Sequence, residues 1–155
     1  MSREEIEFRE GTATQEDIQA HLEGCDVDFS PRLSLKVDIG DYSRKISATA
    51  KTFEAWFGDI LVGLVAAYMN DSRTRSGFIT NVTVAKGFLG RGIASALLDR
   101  CLDRSRREGM EVIGLEVSMQ SREAIRLYEK LGFSELERKG EIVSMRLTIN
   151  QKRQS

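Results

Sequence analysis

The sequence has little cysteine, little proline and almost no net charge. Its 155 residues include 2 cysteines, 1 proline and 7% aromatics, and 23 basic against 24 acidic side chains leave a formal net charge of −1 at pH 7. Collagen-like, proline-rich and low-complexity chains are therefore excluded, and 41% hydrophobic beside 30% charged residues argues against disorder. No nucleic-acid partner is expected, because phosphate binding needs a basic excess or a basic stripe.

The two cysteines stand in unrelated stretches without CxxC spacing. The single histidine, His21, is the only available imidazole, so the sequence predicts no metal site. Cys101 lies in an apolar helical stripe and is interpreted as a small buried hydrophobe. His21 lies between the polar residues Gln19 and Glu23 and is interpreted as a surface residue rather than a catalyst.

Long apolar runs are also missing. None reaches the ~18 residues of a membrane span, and the opening MSREEIEFRE lacks the basic-then-apolar order of a secretory signal. We therefore expect no membrane partner and a cytoplasmic location. Linkers and internal repeats are absent, which predicts a single domain over residues 1–150 and a disordered tail over residues 151–155.

The first half of the chain predicts short helices followed by an antiparallel meander. Residues 6–10 alternate as a strand does, and Thr14 with Asp17 resembles a capping box that opens a helix. An irregular stretch over residues 26–40 precedes a second helix over residues 41–51. Three strands follow, over residues 52–57, 60–69 and 77–85.

In the second half, helices and strands alternate. Gly109 and Gly132 each follow an amphipathic stretch and are expected to end a helix. The predicted elements are a helix over residues 91–108, a strand over 111–118, a helix over 121–131 and a closing hairpin over 133–138 and 142–149.

Gly87, Gly90 and Gly92 cluster where the strand over residues 77–85 meets the following helix. A glycine-rich turn at a helix start points backbone N–H groups outward, and the helix dipole favours a phosphate there. The spacing fits neither GxGxxG nor a P-loop. By itself the turn leaves two interpretations open, a pyrophosphate site and tight packing of strand against helix.

Two blocks of the sequence resemble the GCN5-related N-acetyltransferase family. The first joins Val82-Thr83-Val84 to Leu89-Gly90-Arg91-Gly92-Ile93-Ala94, as in the family's Gln/Arg-x-x-Gly-x-Gly/Ala motif. The second joins Leu115-Glu116-Val117 to an A-x-x-L-Y-x-x-x-G-F pattern over residues 124–133. The resemblance covers residues 77–133. It implies an α+β fold whose mixed, mostly antiparallel sheet of six to seven strands is flanked by about four helices.

The resemblance also implies acetyl-CoA as the acetyl donor. Backbone N–H groups of the Val-x-Val strand are expected to hold the pantetheine arm, and those of the glycine turn the phosphates. Leu89 replaces the motif's Gln or Arg, and Ser121 replaces an Asn of many members; we expect cofactor binding to survive both. The implied cofactor-binding residues are Val82, Thr83, Val84, Leu89, Gly90, Arg91, Gly92, Ile93, Ala94, Ser121 and Tyr128.

Acyl transfer to an amine needs a base, a carbonyl polariser and an acid. Tyr128 occupies the family position of the general acid, although it also continues an apolar stripe. Glu116, twelve residues earlier, is the leading candidate base, because some N-terminal acetyltransferases of the family share that spacing. The alternatives are that Glu116 is only a solvated or salt-bridged carboxylate, and that Asn81, Asp71, Asn70 or water takes the proton.

The acceptor site is expected in residues 26–39, because the family builds its acceptor pocket from the first helices and the loop between them. Asp28 and Asp38 are candidates to bind an amine, and Phe29 is a candidate to line the pocket. Asn81, on the neighbouring strand, is a further candidate to bind the substrate.

The activity predicted is direct transfer of acetyl to a primary amine of a small molecule or peptide. N-terminal acetylation of a ribosomal protein or another peptide is the first alternative. A non-catalytic acyl-CoA-binding module and a nicotinamide- or flavin-binding protein are the others. The last hairpin either pairs across a homodimer or leaves its edge free.

Overall fold

The computed structural model describes residues 5–29 and 32–149, so the predicted tail lies outside the described residues. The strands are β1 (Ile6–Glu10), β2 (Lys51–Phe57), β3 (Ile60–Asp71), β4 (Ser76–Val84), β5 (Val112–Ser118), β6 (Ser134–Lys139) and β7 (Ile142–Thr148). The α-helices are α1 (Gln15–Cys25), α2 (Ile39–Thr49), α3 (Ile93–Arg107) and α4 (Arg122–Leu131).

The strands form a 7-stranded sheet in the order β1-β2-β3-β4-β5-β7-β6. All neighbours run antiparallel except β4 and β5, which are parallel because α3 carries the chain back to the level at which β4 begins. This confirms the predicted α+β fold with a mixed, mostly antiparallel sheet.

Apolar side chains form a separate core on each face of the sheet. On the first face, α1 and α2 contribute Ile18, Leu22 and Ile46, which pack on Leu64 and its neighbours. On the second face, α3 and α4 pack on a larger cluster that includes Phe53, Ile113 and Leu115. The near-continuous apolar sequence of β3 follows from this, because alternate residues are buried in the two cores.

Local signals set most helix ends. The Thr14 hydroxyl accepts from the Asp17 N–H and the Asp17 carboxylate from the Thr14 N–H, so the predicted capping box is confirmed. Gly132 ends α4 at a φ of 110°. Helix α2 begins two residues earlier than predicted, because the Asp38 carboxylate accepts from the Asp41 N–H over 2.9 Å and caps it.

Candidate functional site

Strands β4 and β5 separate part of the way along the sheet. Their parallel pairing extends from Ser76 with Val112 to Ile79 with Leu115, and no pairs follow. Thr80 is an extra residue in β4, since Ala66 of β3 pairs with Asn81 and the next residue pairs with Ile79. The bulge coincides with the separation, and beyond it the facing edges of the two strands leave a cleft.

The cleft has a volume of about 470 Å³. It brings together residues that the sequence predicted for the donor site, the acceptor site and catalysis. These are Asp28, Phe29, Asn81, Val82, Thr83, Glu116, Ser121 and Tyr128. The lining also contains Leu33 and Lys36 from the predicted acceptor segment, and residues that sequence reasoning missed, namely Thr80, Ser118, Gln120 and Ile142.

Tyr128 projects from α4 into the floor of the cleft. Its ring contacts Phe133 at a centroid distance of 5.9 Å, and only 5% of the side chain is exposed. Burial raises the pKa of Tyr128 to about 12, so its hydroxyl stays protonated at neutral pH. No described residue forms a hydrogen bond with this hydroxyl. A buried, protonated hydroxyl without a protein partner is a suitable proton donor for a group bound in the cleft.

Glu116 lies on β5 and is exposed at the cleft. Its neighbours Leu115 and Val117 are buried in the core under α3 and α4, so alternation turns Glu116 toward the side of α1 and α2. Among the residues described, none forms an ion pair or a hydrogen bond with this carboxylate. The carboxylate is therefore solvated, not salt-bridged, and free to interact with a bound amine.

Two of the other candidate bases, Asp71 and Asn70, do not line the cleft, whereas Asn81 does. Asp71 accepts hydrogen bonds from the backbone N–H groups of Arg73 and Thr74 in the turn between β3 and β4. The Asn70 amide donates to the Thr49 carbonyl oxygen over 3.0 Å. Asp38, a candidate amine ligand, caps α2 and borders a separate depression. These three side chains therefore have local structural roles, outside the β4–β5 opening.

The glycine turn joins β4 to α3 beyond the cleft. Gly90 and Gly92 have φ of 78° and 76°, a left-handed conformation that disfavours side chains. Gly92 caps α3 without any side-chain hydrogen bond, and the first bond into the helix runs from the Ala96 N–H to the Gly92 carbonyl. The N–H groups of the first turn therefore lack protein acceptors, and this set of donors fits a phosphate group.

The other cofactor candidates surround this turn. Arg91 is exposed and its guanidinium lies 4.9 Å from the centre of the Phe88 ring. Leu89 is 61% exposed, so its side chain is not needed for packing. Ser121 precedes α4, and its hydroxyl does not cap that helix. Val84 ends β4 before the turn, and Ile93 and Ala94 begin α3 after it.

His21 is buried, which corrects its interpretation as a surface residue. Only 6% of it is exposed, and its Nε2 lies 2.8 Å from the Thr83 hydroxyl oxygen in the cleft wall. Burial lowers the pKa of His21 to about 4. The signal was present in the sequence, because Ile18, Leu22 and Cys25 form a helical stripe that includes position 21.

The thiols take no part in the cleft. Both cysteines are free and buried, and burial raises the pKa of Cys25 to about 11 and that of Cys101 to about 12. Neither is a thiolate at neutral pH, and the prediction that Cys101 is a buried hydrophobe is confirmed. Within the described ranges, no group of three His, Cys, Asp or Glu residues is placed to hold a metal ion. None of the helices in these ranges has the length and apolar character needed to cross a bilayer.

Two curated relatives match part of the chain. N-alpha-acetyltransferase MAK3 of Arabidopsis thaliana is 38% identical over 73 residues, or 46% of this chain and 38% of that protein. N-alpha-acetyltransferase 30 of Schizosaccharomyces pombe is 32% identical over 89 residues, or 56% of this chain and 59% of that protein. Each match thus spans less than two thirds of the relative's own length.

Solved structures share the fold along nearly the whole chain. PH1933 from Pyrococcus horikoshii OT3 superposes with a TM-score of 0.74 at 26% identity, covering 94% of this chain and 99% of that one. PaiA N-acetyltransferase from Thermoplasma acidophilum, solved in complex with coenzyme A, gives a TM-score of 0.74 at 15% identity, covering 93% of this chain and 99% of that one.

The family model described as "Acetyltransferase (GNAT) family" matches residues 16–133. This match extends from α1 to the end of α4 and so includes both blocks that carried the resemblance, the glycine turn and the whole opening between β4 and β5. The expected family and fold are therefore confirmed: the chain belongs to the acetyltransferase (GNAT) family.

Proposed function

We propose that this protein transfers the acetyl group of acetyl-CoA directly to a primary amine. The observation that carries the proposal is the pair Glu116 and Tyr128, which border one cleft and lack protein partners for their carboxylate and hydroxyl. One is an exposed proton acceptor, and the other is a buried proton donor. Acyl transfer to an amine needs both groups at the same reacting centre.

The reaction forms a C–N bond to the amine and breaks the thioester C–S bond. Acetyl-CoA supplies the activated acetyl group. Glu116 takes the proton that the amine loses, directly or through water. Tyr128 donates the proton that the departing sulfur requires, and a hydroxyl whose pKa is about 12 remains protonated throughout the neutral range. Neither buried thiol is needed, because the transfer is direct.

The donor side of the cleft fits coenzyme A in two respects. The uncapped start of α3, with Gly90 and Gly92 in left-handed conformations, supplies backbone donors for the pyrophosphate. Beyond Ile79, the edge of β4 that faces β5 has no strand partner. Its backbone can therefore pair with the extended pantetheine arm of coenzyme A in the cleft. The complex of PaiA N-acetyltransferase with coenzyme A, which has the same fold, supports this donor.

For the acceptor we favour the α-amine of a peptide or protein. The curated relatives from Arabidopsis thaliana and Schizosaccharomyces pombe are N-alpha-acetyltransferases, and their aligned segments support this choice. Asp28 and Glu116 place carboxylates at the cleft, where an ammonium group binds favourably. An amine of a small molecule is the second candidate, since the same carboxylates would hold it.

The first experiment is a thermal melt with no ligand, acetyl-CoA, coenzyme A, NADPH or FMN. A ligand at about 100 times its Kd stabilises the native state by about 2.7 kcal/mol, which raises the Tm by several degrees. We expect a shift with acetyl-CoA and coenzyme A only. A shift with NADPH or FMN instead would identify a redox-cofactor protein and contradict the proposal.

The second experiment follows thiol release from acetyl-CoA in the presence of peptides, alkylamines and polyamines, with mass spectrometry of each product. Acetylated peptide and a stoichiometric amount of free thiol are expected. Acetyl-CoA binding without thiol release on any amine would identify a non-catalytic acyl-CoA-binding module and overturn the proposed activity.

A further inference from the structure

A chain of buried hydrogen bonds runs from α1 to the wall of the cleft. His21 Nε2 lies 2.8 Å from the Thr83 hydroxyl oxygen, and that hydroxyl lies 2.8 Å from Asn81 Oδ1. The three side chains are only 6%, 6% and 7% exposed. Asn81 and Thr83 border the cleft, whereas His21 lies behind them. A histidine thus contacts the site through an intermediate residue.

The direction of each hydrogen bond follows from the groups involved. Asn81 Oδ1 can only accept, so the Thr83 hydroxyl donates its single hydrogen to it. The Thr83 oxygen must then accept from His21, which requires the neutral tautomer with hydrogen on Nε2. Burial lowers the pKa of His21 to about 4, so at neutral pH the imidazole is neutral and has one N–H to donate.

This chain holds the Asn81 amide in the orientation that the structure gives it, with Oδ1 toward Thr83. With Oδ1 turned toward Thr83, the two hydrogens of Nδ2 remain to be donated elsewhere. The Asn81 side chain also interacts with the hydroxyl of Tyr42, which accounts for at most one of the two. At least one N–H is therefore left for a group bound in the cleft. The wall at Asn81 presents a donor, and Glu116 on the facing strand presents an acceptor.

We propose that His21 acts through Thr83 as a positioning residue, which holds Asn81 ready to donate to the first carbonyl of a peptide acceptor while Glu116 receives the α-amine. This inference rests on the proposed function and narrows its acceptor. A peptide N-terminus has an ammonium group and, three bonds away, a carbonyl oxygen, so it matches a carboxylate and an amide N–H on opposite walls. A simple alkylamine leaves the Asn81 donor unused.

The test uses two acceptors that differ in one group. One is a short peptide with a free α-amine, and the other is the same peptide with its first amide replaced by an (E)-alkene, which keeps the shape and removes the carbonyl. The variants are H21L, which lacks the N–H donor, H21Q, whose side-chain amide restores an N–H near the position of Nε2, and T83V, which replaces the hydroxyl by a methyl group of similar size.

We expect H21L to raise the KM for the peptide about tenfold, with kcat and the KM for acetyl-CoA changed less than twofold. The KM for the alkene acceptor should be high in the unmodified protein and unaffected by H21L. H21Q should recover most of the loss, and the double variant H21L/T83V should cost no more than T83V, because both changes break the same chain. If H21L does not fold, T83V carries the same comparison, since it keeps the volume of the side chain.

Several outcomes overturn the inference. A KM that rises equally for both acceptors, a loss confined to kcat, or additive effects of H21L and T83V would each identify a general structural role. Unmodified protein that acetylates both acceptors equally well would overturn the inference and leave the acetyltransferase function intact. Protein that acetylates no amine would overturn both. ¹⁵N NMR of His21 provides an independent check, because a hydrogen on Nδ1 instead of Nε2 contradicts the hydrogen-bond chain.

Discussion

The hydroxyl of Tyr42 donates a hydrogen bond to the carbonyl oxygen of Thr80 over 2.6 Å. Tyr42 belongs to α2, and Thr80 is the bulged residue at which β4 separates from β5. The bond therefore joins a helix on the acceptor side to the point where the cleft begins. A backbone carbonyl that the bulge removes from the sheet ladder receives its donor in this way.

Y42F should destabilise the protein by about 1–2 kcal/mol, because a partly buried carbonyl loses its donor. We also expect a higher KM for the acceptor, since the bulge borders the cleft. Urea unfolding and steady-state kinetics measure the two effects. Y68F is a matched control, because Tyr68 is half-buried and no described residue bonds to its hydroxyl. Equal losses in the two variants would contradict the role given to the Tyr42–Thr80 bond.

Y128F should lower kcat at least tenfold and leave the Kd for acetyl-CoA within about twofold, because the ring and its packing on Phe133 are kept. The Tyr128 pKa of about 12 lies above the ordinary value, so the acid form is lost only as the pH rises through that range. The kcat of the unmodified protein should therefore show no loss assigned to Tyr128 below pH 10. Unchanged turnover in Y128F would remove this hydroxyl from the mechanism.

E116Q should lower kcat/KM for the acceptor by about 10²-fold, at the lower end of the usual range for general bases because water can partly replace the carboxylate. The Tm should not change, since Glu116 is exposed and without a protein partner. E123Q removes another exposed carboxylate, at the start of α4, and serves as the control. A kcat/KM that is equal in both variants would show that Glu116 is only a solvated surface charge.

G92A should weaken coenzyme A binding and also reduce stability by about 1–2 kcal/mol, because a side chain is strained at a φ of 76°. G58A separates the two effects. Gly58 has a φ of 60° in the turn between β2 and β3, and an added Cβ meets nothing within 4 Å at either glycine. Both variants should lose stability, whereas only G92A should raise the Kd for coenzyme A in a calorimetric titration. Equal Kd values would make the glycine turn purely structural.

E54Q should destabilise the protein by about 2–3 kcal/mol, since Glu54 is fully buried and accepts from the N–H groups of Thr12 and Ala13, the Trp56 indole and the Thr52 hydroxyl. An amide cannot accept from all of these donors. The same network joins the strand β2 to the segment that leads into α1, so the loss affects the support of the acceptor side.

The effect of E54Q should also depend on pH. Burial alone raises the pKa of Glu54, but the hydrogen bonds from Thr12, Thr52, Ala13 and Trp56 outweigh it and leave the pKa below the ordinary 4.5. The ionised carboxylate therefore stabilises the fold above about pH 4.5, and this contribution disappears as the pH falls through the lower, native value. Urea unfolding between pH 7 and pH 3 should show the gap between the unmodified protein and E54Q closing. A constant gap would contradict this.

Signals that act within a few residues were visible in the sequence. The Thr14 capping box, the helix stop at Gly132 and the alternation of β7 depend on near neighbours, and the structure confirms them. The family blocks likewise predicted the elements that carry Tyr128, Glu116 and the glycine turn. Such features depend on backbone conformation and side-chain spacing, which a single stretch of sequence already specifies.

Only the tertiary structure decided which of these residues meet. The separation of β4 from β5 after Ile79 depends on pairing between residues 36 positions apart in the sequence, such as Ser76 and Val112, so no local pattern reveals where it begins. For His21, the helical stripe of Ile18, Leu22 and Cys25 already included its position, and the packing of α1 against β4 decided only that it lies beside Thr83. Asp38 was a candidate amine ligand, and Asn70 and Asp71 were candidate bases, by residue type alone; in the structure each hydrogen-bonds to another group. The residue type determines which chemistry a side chain can perform. A site also requires particular distances between side chains, and the packing of the whole sheet sets those distances.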